Sequence, residues 1–243
     1  MRRTFVIGDI HGGLKALQQV LERAPISNND QLIFLGDYVD GWSESPHVIS
    51  FLIELRENFD CVFVKGNHDK WCEEWLRTQN ADSDWLFHGG HSTVDSYQKI
   101  KKEKYQEHLN FFETMVNYYV DDKNRLFIHA GFSSMHGVEK EPYESNYSWD
   151  RTLWELALVM KETNLDVLSP FYPKRFKHYT EIFIGHTPTT NYDIGIPMQA
   201  SIVNNLDTGA AFKGKLTIMD IDTKEFWQSD PLPSLYSNEK GRN

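Results

Sequence analysis

Five short, mostly apolar runs, each giving way to a glycine beside a carboxylate, an amide or an imidazole, constrain this chain more than any other feature. TFVI (4–7) passes into Gly8-Asp9-Ile10-His11-Gly12. QLIFL (31–35) passes into Gly36-Asp37-Tyr38-Val39-Asp40-Gly41. CVFV (61–64) leads to Lys65-Gly66-Asn67-His68-Asp69, LFI (126–128) to His129-Ala130-Gly131, and EIFI (181–184) to Gly185-His186-Thr187. Continuous apolar runs of this length suit strands covered on both faces. Between the first three lie helical stripes: Leu14, Leu17, Val20 and Leu21, then Val48, Ile49, Leu52, Ile53 and Leu55 after Pro46. Strand–helix–strand–helix–strand implies parallel strands with helical crossovers, an α/β chain. Such sheets bind ligands outside the carboxyl ends of their strands, so five loops are placed around one site.

The remainder reads less regularly. A helical insert is expected at about 71–125, with IKKEKYQEHLNFFETMVNYY as one long helix. A loop is expected over 134–148, a helix near 150–161 and irregular chain over 165–180. EIFI, SIVNNL (201–206), KLTIMDI (215–221) and EFW (225–227) suggest antiparallel pairing, with turns at Asn191 and Gly214. The 243 residues, 40% hydrophobic, suffice for one substantial core, and the expectation is a single domain over 1–243.

Charge and cysteine usage exclude some functions. A net charge of −10 argues against broad nucleic-acid binding. It does not argue against an anionic substrate, because bound cations reverse the field of an acidic site. Cys61 and Cys72 have no metal-ligand spacing and read as reduced thiols. MRRTFVIGDIHG is too short an apolar stretch for a signal peptide, and no run reaches the length of a membrane span. A soluble, cytoplasmic protein is expected.

The residue types at the strand ends point to metal chemistry. Asp9 and His11, two apart, would point the same way in extended chain and take two positions on one ion. Asp37 can bridge two cations, and Asn67, His129 and His186 supply an amide oxygen and two imidazoles for the second. Nitrogen and oxygen donors without thiolate suit Mn²⁺, Fe, Zn²⁺ or Co²⁺. Two such ions clamp phosphoryl oxygens and generate a bridging hydroxide at neutral pH. His68 is then free to act as general acid on a leaving alkoxide, with Asp40 accepting its ring hydrogen bond. Asp69 reads as a structural acceptor for loop backbone, and Asp207 as a partner that orients a ligand histidine. Trp42 and Trp71 read as core or as an aromatic rim. His88 and His91, without an acid beside them, make a weak metal pattern.

In order, GDIHG, GDYVDG, GNHD, HAG and GHT resemble the calcineurin-like metallophosphoesterases. More closely they resemble the phosphoprotein phosphatase superfamily, with its bacterial serine/threonine phosphatases and symmetrical diadenosine tetraphosphate hydrolases. The motifs span residues 8–187. The resemblance implies a sandwich of two mixed β-sheets flanked by helices and a dinuclear centre, most simply Mn or Fe/Zn. It implies Asp9, His11 and Asp37 on one ion, and Asp37, Asn67, His129 and His186 on the other, with His68 and Asp40 as the acid pair. Asn67 is also expected against the substrate phosphate. One departure stands out: the family's GDxxDRG pattern has arginine where this chain has Gly41. Arg151, in SWDRTLW, resembles the position of a second phosphate-binding arginine, and a guanidinium fork matches phosphoryl oxygens. The plain alternative pairs Arg151 with Asp150 or Glu155; Arg175 is a weaker candidate for the same task.

The expected activity is hydrolysis of phosphoserine or phosphothreonine, with phosphotyrosine as an extension, by direct attack of the metal-bridging hydroxide. The substrate partner is then a phosphorylated protein or a small phosphorylated molecule. The alternative is a phosphoanhydride hydrolase for dinucleoside tetraphosphates or nucleotide 5′-ends, which Gly41 and the tryptophans favour. A non-catalytic binding module on the same fold is the third reading, opposed by the intact ligand set.

Overall fold

A computed structural model describes residues 2–242. The first three apolar runs form β1 (Thr4–Ile7), β2 (Gln31–Phe34) and β3 (Asp60–Phe63), joined by helices α1 (Leu14–Arg23) and α2 (Ser45–Leu55). They pair in parallel, Val6 opposite Ile33 and Ile33 opposite Val62. A helical stretch follows: α3 (Asn67–Thr78), α4 (Ser83–Trp85) with a π-type turn over Leu86–Gly90, α5 (His91–Tyr97) and α6 (Glu103–Glu113). The chain then builds β4 (Tyr118–Val120), β5 (Arg125–Ile128), α7 (Asn146–Trp149), α8 (Thr152–Glu162) and β6 (Glu181–Ile184). It closes with β7 (Met198–Ala200), β8 (Val203–Asn205), β9 (Thr217–Asp220), β10 (Phe226–Gln228) and α9 (Leu232–Leu235).

Two mixed five-stranded sheets result, ordered β10-β9-β1-β2-β3 and β4-β5-β6-β8-β7. Strand alternation divides the apolar residues between layers. Phe5, Ile7, Leu32 and Phe34 face helices on one outer side. Leu126, Ile128, Ile182 and Ile184 face helices on the other. Val6, Ile33, Leu35, Phe127, Phe183 and Leu206 meet between the sheets. There Phe127 and Phe183 stack with centroids 4.9 Å apart and planes 9° apart. This is the α/β sandwich expected, and both sheets turn the carboxyl ends of their parallel strands to the same site.

Several expectations about the elements need correction. The stretch 100–119 is not one long helix: α6 spans Glu103–Glu113 and the chain is extended from Tyr118, while the helices after β3 already begin at Asn67. Val116 exchanges backbone hydrogen bonds with the edge of β3, accepting from Lys65 and donating to Phe63 at 2.8 and 2.9 Å. Tyr118–Val120 then pairs antiparallel with β5. Edge pairing captures this β-favouring NYYV segment, which local periodicity alone cannot register. EIFI also departs from the antiparallel expectation, because β6 lies parallel to both β5 and β8. Antiparallel pairing holds for β7 with β8, and for β9 with β1 and β10. No helix among the described residues is long and apolar enough to cross a membrane.

Candidate active site

The loops after β1, β2, β3, β5 and β6 bring Asp9, His11, Asp37, Asn67, His129 and His186 into one buried cluster, none more than 7% exposed. Asp9 and His11 do not meet through an extended backbone, as their spacing suggests. His11 has φ 52°, and the amides of Ile10 and His11 both donate to the Asp37 carbonyl, at 3.0 and 2.9 Å. His11 Nε2 then lies 3.6 Å from Asp37 Oδ2 and 3.9 Å from Asp9 Oδ2. His129 Nε2 lies 3.4 Å from the same Asp37 oxygen and 3.2 Å from Asn67 Oδ1. Two glycines leave room for the carboxylates. A Cβ on Gly185 would sit 2.0 Å from Asp9 Oδ1, and one on Gly66 would sit 2.1 Å from Asp37 Oδ1.

Hydrogen bonds behind the cluster aim its ring nitrogens. His11 Nδ1 donates to Val39 O at 3.2 Å and His129 Nδ1 to Leu35 O at 2.8 Å, so each presents Nε2 to the centre. Asp9 Oδ2 accepts from the His186 amide at 3.0 Å, while Asp9 Oδ1 and His186 Nε2 are buried without any partner. Asp9–His11–Asp37 and Asp37–His129–His186 each converge closely enough to hold one ion, with Asp37 common to both. Orphaned donor atoms, a shared carboxylate and an N/O set without thiolate fit two transition-metal cations.

The electrostatics agree with a site built around positive charge. Burial and the nearby Asp207 push the Asp9 carboxyl well above the usual carboxylate range. Burial drives His11 and His186 well below the ordinary imidazole range, with Arg242 adding to the effect on His11 and Arg151 to that on His186. His129 goes the other way: burial opposes its charge, yet Asp37 and Asp9 hold it up to about 9.

His68 opens α3 rather than ending a strand, and its amide donates to Asp37 Oδ1 at 3.0 Å. Its Nδ1 donates to Asp40 Oδ2 at 2.5 Å, and its Nε2 stands 4.0 Å from Asp37 Oδ2. Asp40 is fully buried and also accepts from Trp85 Nε1 and Thr93 Oγ1, each at 2.6 Å. Both come from the helical insert; Trp85 reads in the sequence as core or cover and Thr93 carries no signal, so only their place in the fold reveals them as partners of Asp40. Asp69, third in α3, accepts from the amides of Asp37, Tyr38 and Gly66 at 2.7–2.9 Å and locks two of the site loops together. Burial and Asp37 push its carboxyl up to about 7 against those amides.

Around the cluster lie two adjoining cavities of about 380 and 150 Å³, with Arg151, His186 and Arg242 in the walls of both. Arg151 caps α8 and donates to Thr187 Oγ1 at 2.9 Å and His186 O at 3.3 Å. Its pairing with Asp150 or Glu155 does not occur among the described residues. The smaller cavity has an aromatic wall. Trp71 stands edge-on to His68 at 5.3 Å and to Trp149 at 5.0 Å, and lies parallel to His88 at 6.2 Å.

Other expectations fall away from the site. Arg175 ties Phe132 O and Thr152 O instead of lining either cavity. Trp42 is no rim residue: it is fully buried and donates to Ala210 O at 2.7 Å. Asp207 makes no hydrogen bond to a histidine among the described residues; it accepts from the Gly209 amide at 3.0 Å and faces the larger cavity. His91 starts α5 and lines neither cavity.

The chain is similar to known proteins over most of its length. Residues 2–212 match the family model described as calcineurin-like phosphoesterase. The chain is 26% identical over 239 residues to a bis(5′-nucleosyl)-tetraphosphatase PrpE [asymmetrical] of Oceanobacillus iheyensis, covering 91% of this chain and 89% of that one. It is 28% identical over 227 residues to the protein of the same name from Bacillus mycoides, covering 87% of each. A crystal structure described as that of a candidate diadenosine tetraphosphatase superposes with a TM-score of 0.64, covering 93% of this chain and 92% of that one. At 16% identity, that likeness bears on the fold alone.

Proposed function

This chain belongs to the calcineurin-like phosphoesterase family and is a metal-dependent phosphoesterase, and from that premise we propose that it hydrolyses a phosphoanhydride bond of dinucleoside tetraphosphates. The observation that carries the choice of substrate is the aromatic wall of Trp71, His88 and Trp149, set against His68 in a cavity that also holds two arginines. A nucleobase has an apolar face to lay on such a wall and a polyphosphate to give to the arginines. The relatives named as tetraphosphatases, matched over nearly their full length, support the same reading.

Two cations held by Asp9, His11, Asp37, Asn67, His129 and His186 would neutralise phosphoryl oxygens and bring the pKa of a water near neutrality. The chain's own residues do the rest. Arg151, fixed by Thr187 and the His186 carbonyl, presents its free guanidinium edge to the phosphoryl oxygens. His68 carries its transferable proton on Nε2, because Nδ1–H is committed to Asp40. Asp40 holds the ring in that orientation and is itself held by Trp85 and Thr93. Burial of the dyad excludes bulk water from the proton-transfer path.

Hydrolysis of phosphoserine or phosphothreonine is the second reading, favoured by the same His68–Asp40 dyad, since an alkoxide needs a proton donor more than a nucleotide does. The deciding experiment compares Mn²⁺-loaded protein and His68→Ala on diadenosine tetraphosphate and on phosphoserine, phosphothreonine and phosphotyrosine peptides. Preferential cleavage of the dinucleotide, with only a modest loss in the variant, is expected. Preferential peptide turnover, largely lost in the variant, would move the protein to the phosphomonoester reading.

A further inference from the structure

The far end of the chain returns to the site. The amide of Arg242 donates to Ala211 O at 2.8 Å, and its guanidinium carbon lies 5.4 Å from the centre of the Phe212 ring. Its stem fills a slot between two glycines from separate loops. Gly41 has φ 102° and Gly89 has φ 112°, backbone that side-chain-bearing residues rarely adopt. A Cβ on Gly89 would come within 2.9 Å of Arg242 Cγ, and one on Gly41 within 3.4 Å. Gly241, φ 70°, packs so closely on Trp42 that a Cβ there would meet the indole at 2.8 Å. Trp42 in turn stacks on Tyr236 at 5.1 Å. Three glycines and a buried tryptophan thus seat one side chain.

Among the described residues that side chain has no hydrogen-bond acceptor. Arg242 Nε is buried without a hydrogen-bond partner, and no ion pair of Arg242 occurs among the described residues. A guanidinium has five donors and no acceptor capacity, so an anion is the ligand it lacks. It lines both site cavities, with Arg151 and His186 in each and His68 in the smaller, and it also borders a cavity of about 580 Å³ beside Phe212 and Lys215.

We propose that Arg242 is a substrate-binding residue, gripping a phosphoryl group together with Arg151 from a position reached by passing over Gly41. Glycine at 41 is then no loss of a phosphate ligand. It is the space through which the replacement enters. The inference rests on the phosphoesterase reading for its ligand, a phosphoryl group, but not on the choice between nucleotide and peptide.

The test uses the Mn²⁺-loaded 243-residue protein, with inorganic phosphate as the calorimetric probe and diadenosine tetraphosphate as substrate. Arg242→Met keeps the stem in its slot and removes the charge; Arg242→Lys keeps the charge and loses the fork. Phosphate binding should weaken about 10- to 100-fold in Arg242→Met, with KM raised and the melting temperature unchanged. Arg242→Lys should recover part of that loss. Unchanged phosphate affinity and KM in a folded Arg242→Met would overturn the assignment while leaving the dinucleotidase reading intact. Weakened phosphate binding in a protein that cleaves no dinucleotide would sustain Arg242 and sink that reading. Should Arg242→Met melt early, Arg242→Lys decides alone: weaker phosphate binding at unchanged stability supports the clamp, and undiminished binding overturns it.

Discussion

His11, Asp37, Asp40 and His186 share a backbone feature that their side chains conceal: φ values of 52°, 54°, 72° and 66°. Residues with a Cβ occupy this left-handed region at a cost of about 1–3 kcal/mol each. Here the strain turns each side chain off its strand end toward the centre. The chemistry of these residues was legible in the sequence; the turns that aim them were not, because nothing in a histidine or an aspartate demands positive φ. The same holds for Asp40, whose Oδ2 receives two N–H donors and whose Oδ1 receives a hydroxyl. Asp40→Asn would set an amide nitrogen against at least one of those donors. We expect kcat to fall about 100-fold or more on phenyl phosphate, and less on p-nitrophenyl phosphate, whose leaving group needs no proton. Equal losses on the two esters would remove the proton-donor role from the dyad.

At the scale of elements, the helical insert is part of the site. It carries Trp85 to Asp40 and Trp71 to His68. Trp85→Phe should preserve the fold and lower kcat about tenfold through the lost hydrogen bond; steady-state kinetics with a thermal melt would show both. The insert also buries His108, whose Nε2 meets Ser50 Oγ and Nδ1 meets Tyr97 OH, both at 2.9 Å. Burial holds it down to about 4 from an ordinary 6.5, against the opposing pull of Glu107 and with Lys104 and His47 adding to the depression. The folded protein keeps this ring neutral where the unfolded chain protonates it. Stability therefore falls as pH drops from 6.5 to about 4, and this contribution levels off below. Urea unfolding should show the wild type losing up to about 3 kcal/mol more than His108→Gln across that window. Parallel curves would mean that His108 titrates normally.

Over the whole molecule, the seam between the sheets keeps the two halves of the site in register. One sheet supplies Asp9, Asp37 and Asn67, the other His129 and His186, and the stacked Phe127 and Phe183 lie between them. Both rings lose their partner surface if one is truncated, so Phe127→Ala should cost about 3–5 kcal/mol in denaturant unfolding of the metal-free protein. A cost below about 1 kcal/mol would show that the sheets close over the gap.

The strand ends, the ligand types carried on them and the α/β pattern that gathers them were legible in the linear chain. Those depend on local apolar runs and on side-chain chemistry, which a linear string records in full. Tertiary structure alone decided the partners of those groups. Val116 and the NYYV segment left the helical pattern because the edges of β3 and β5 offered backbone hydrogen bonds. Trp85 and Thr93 became ligands of Asp40, 45 and 53 residues away, because α4 and α5 fold back over the β2 loop. Arg242 reached Gly41, 201 positions away, because Trp42 and Tyr236 bind this segment to the first sheet's helices. Each is a contact between residues distant in sequence, and loop-closure entropy must be overcome by packing that no single segment contains.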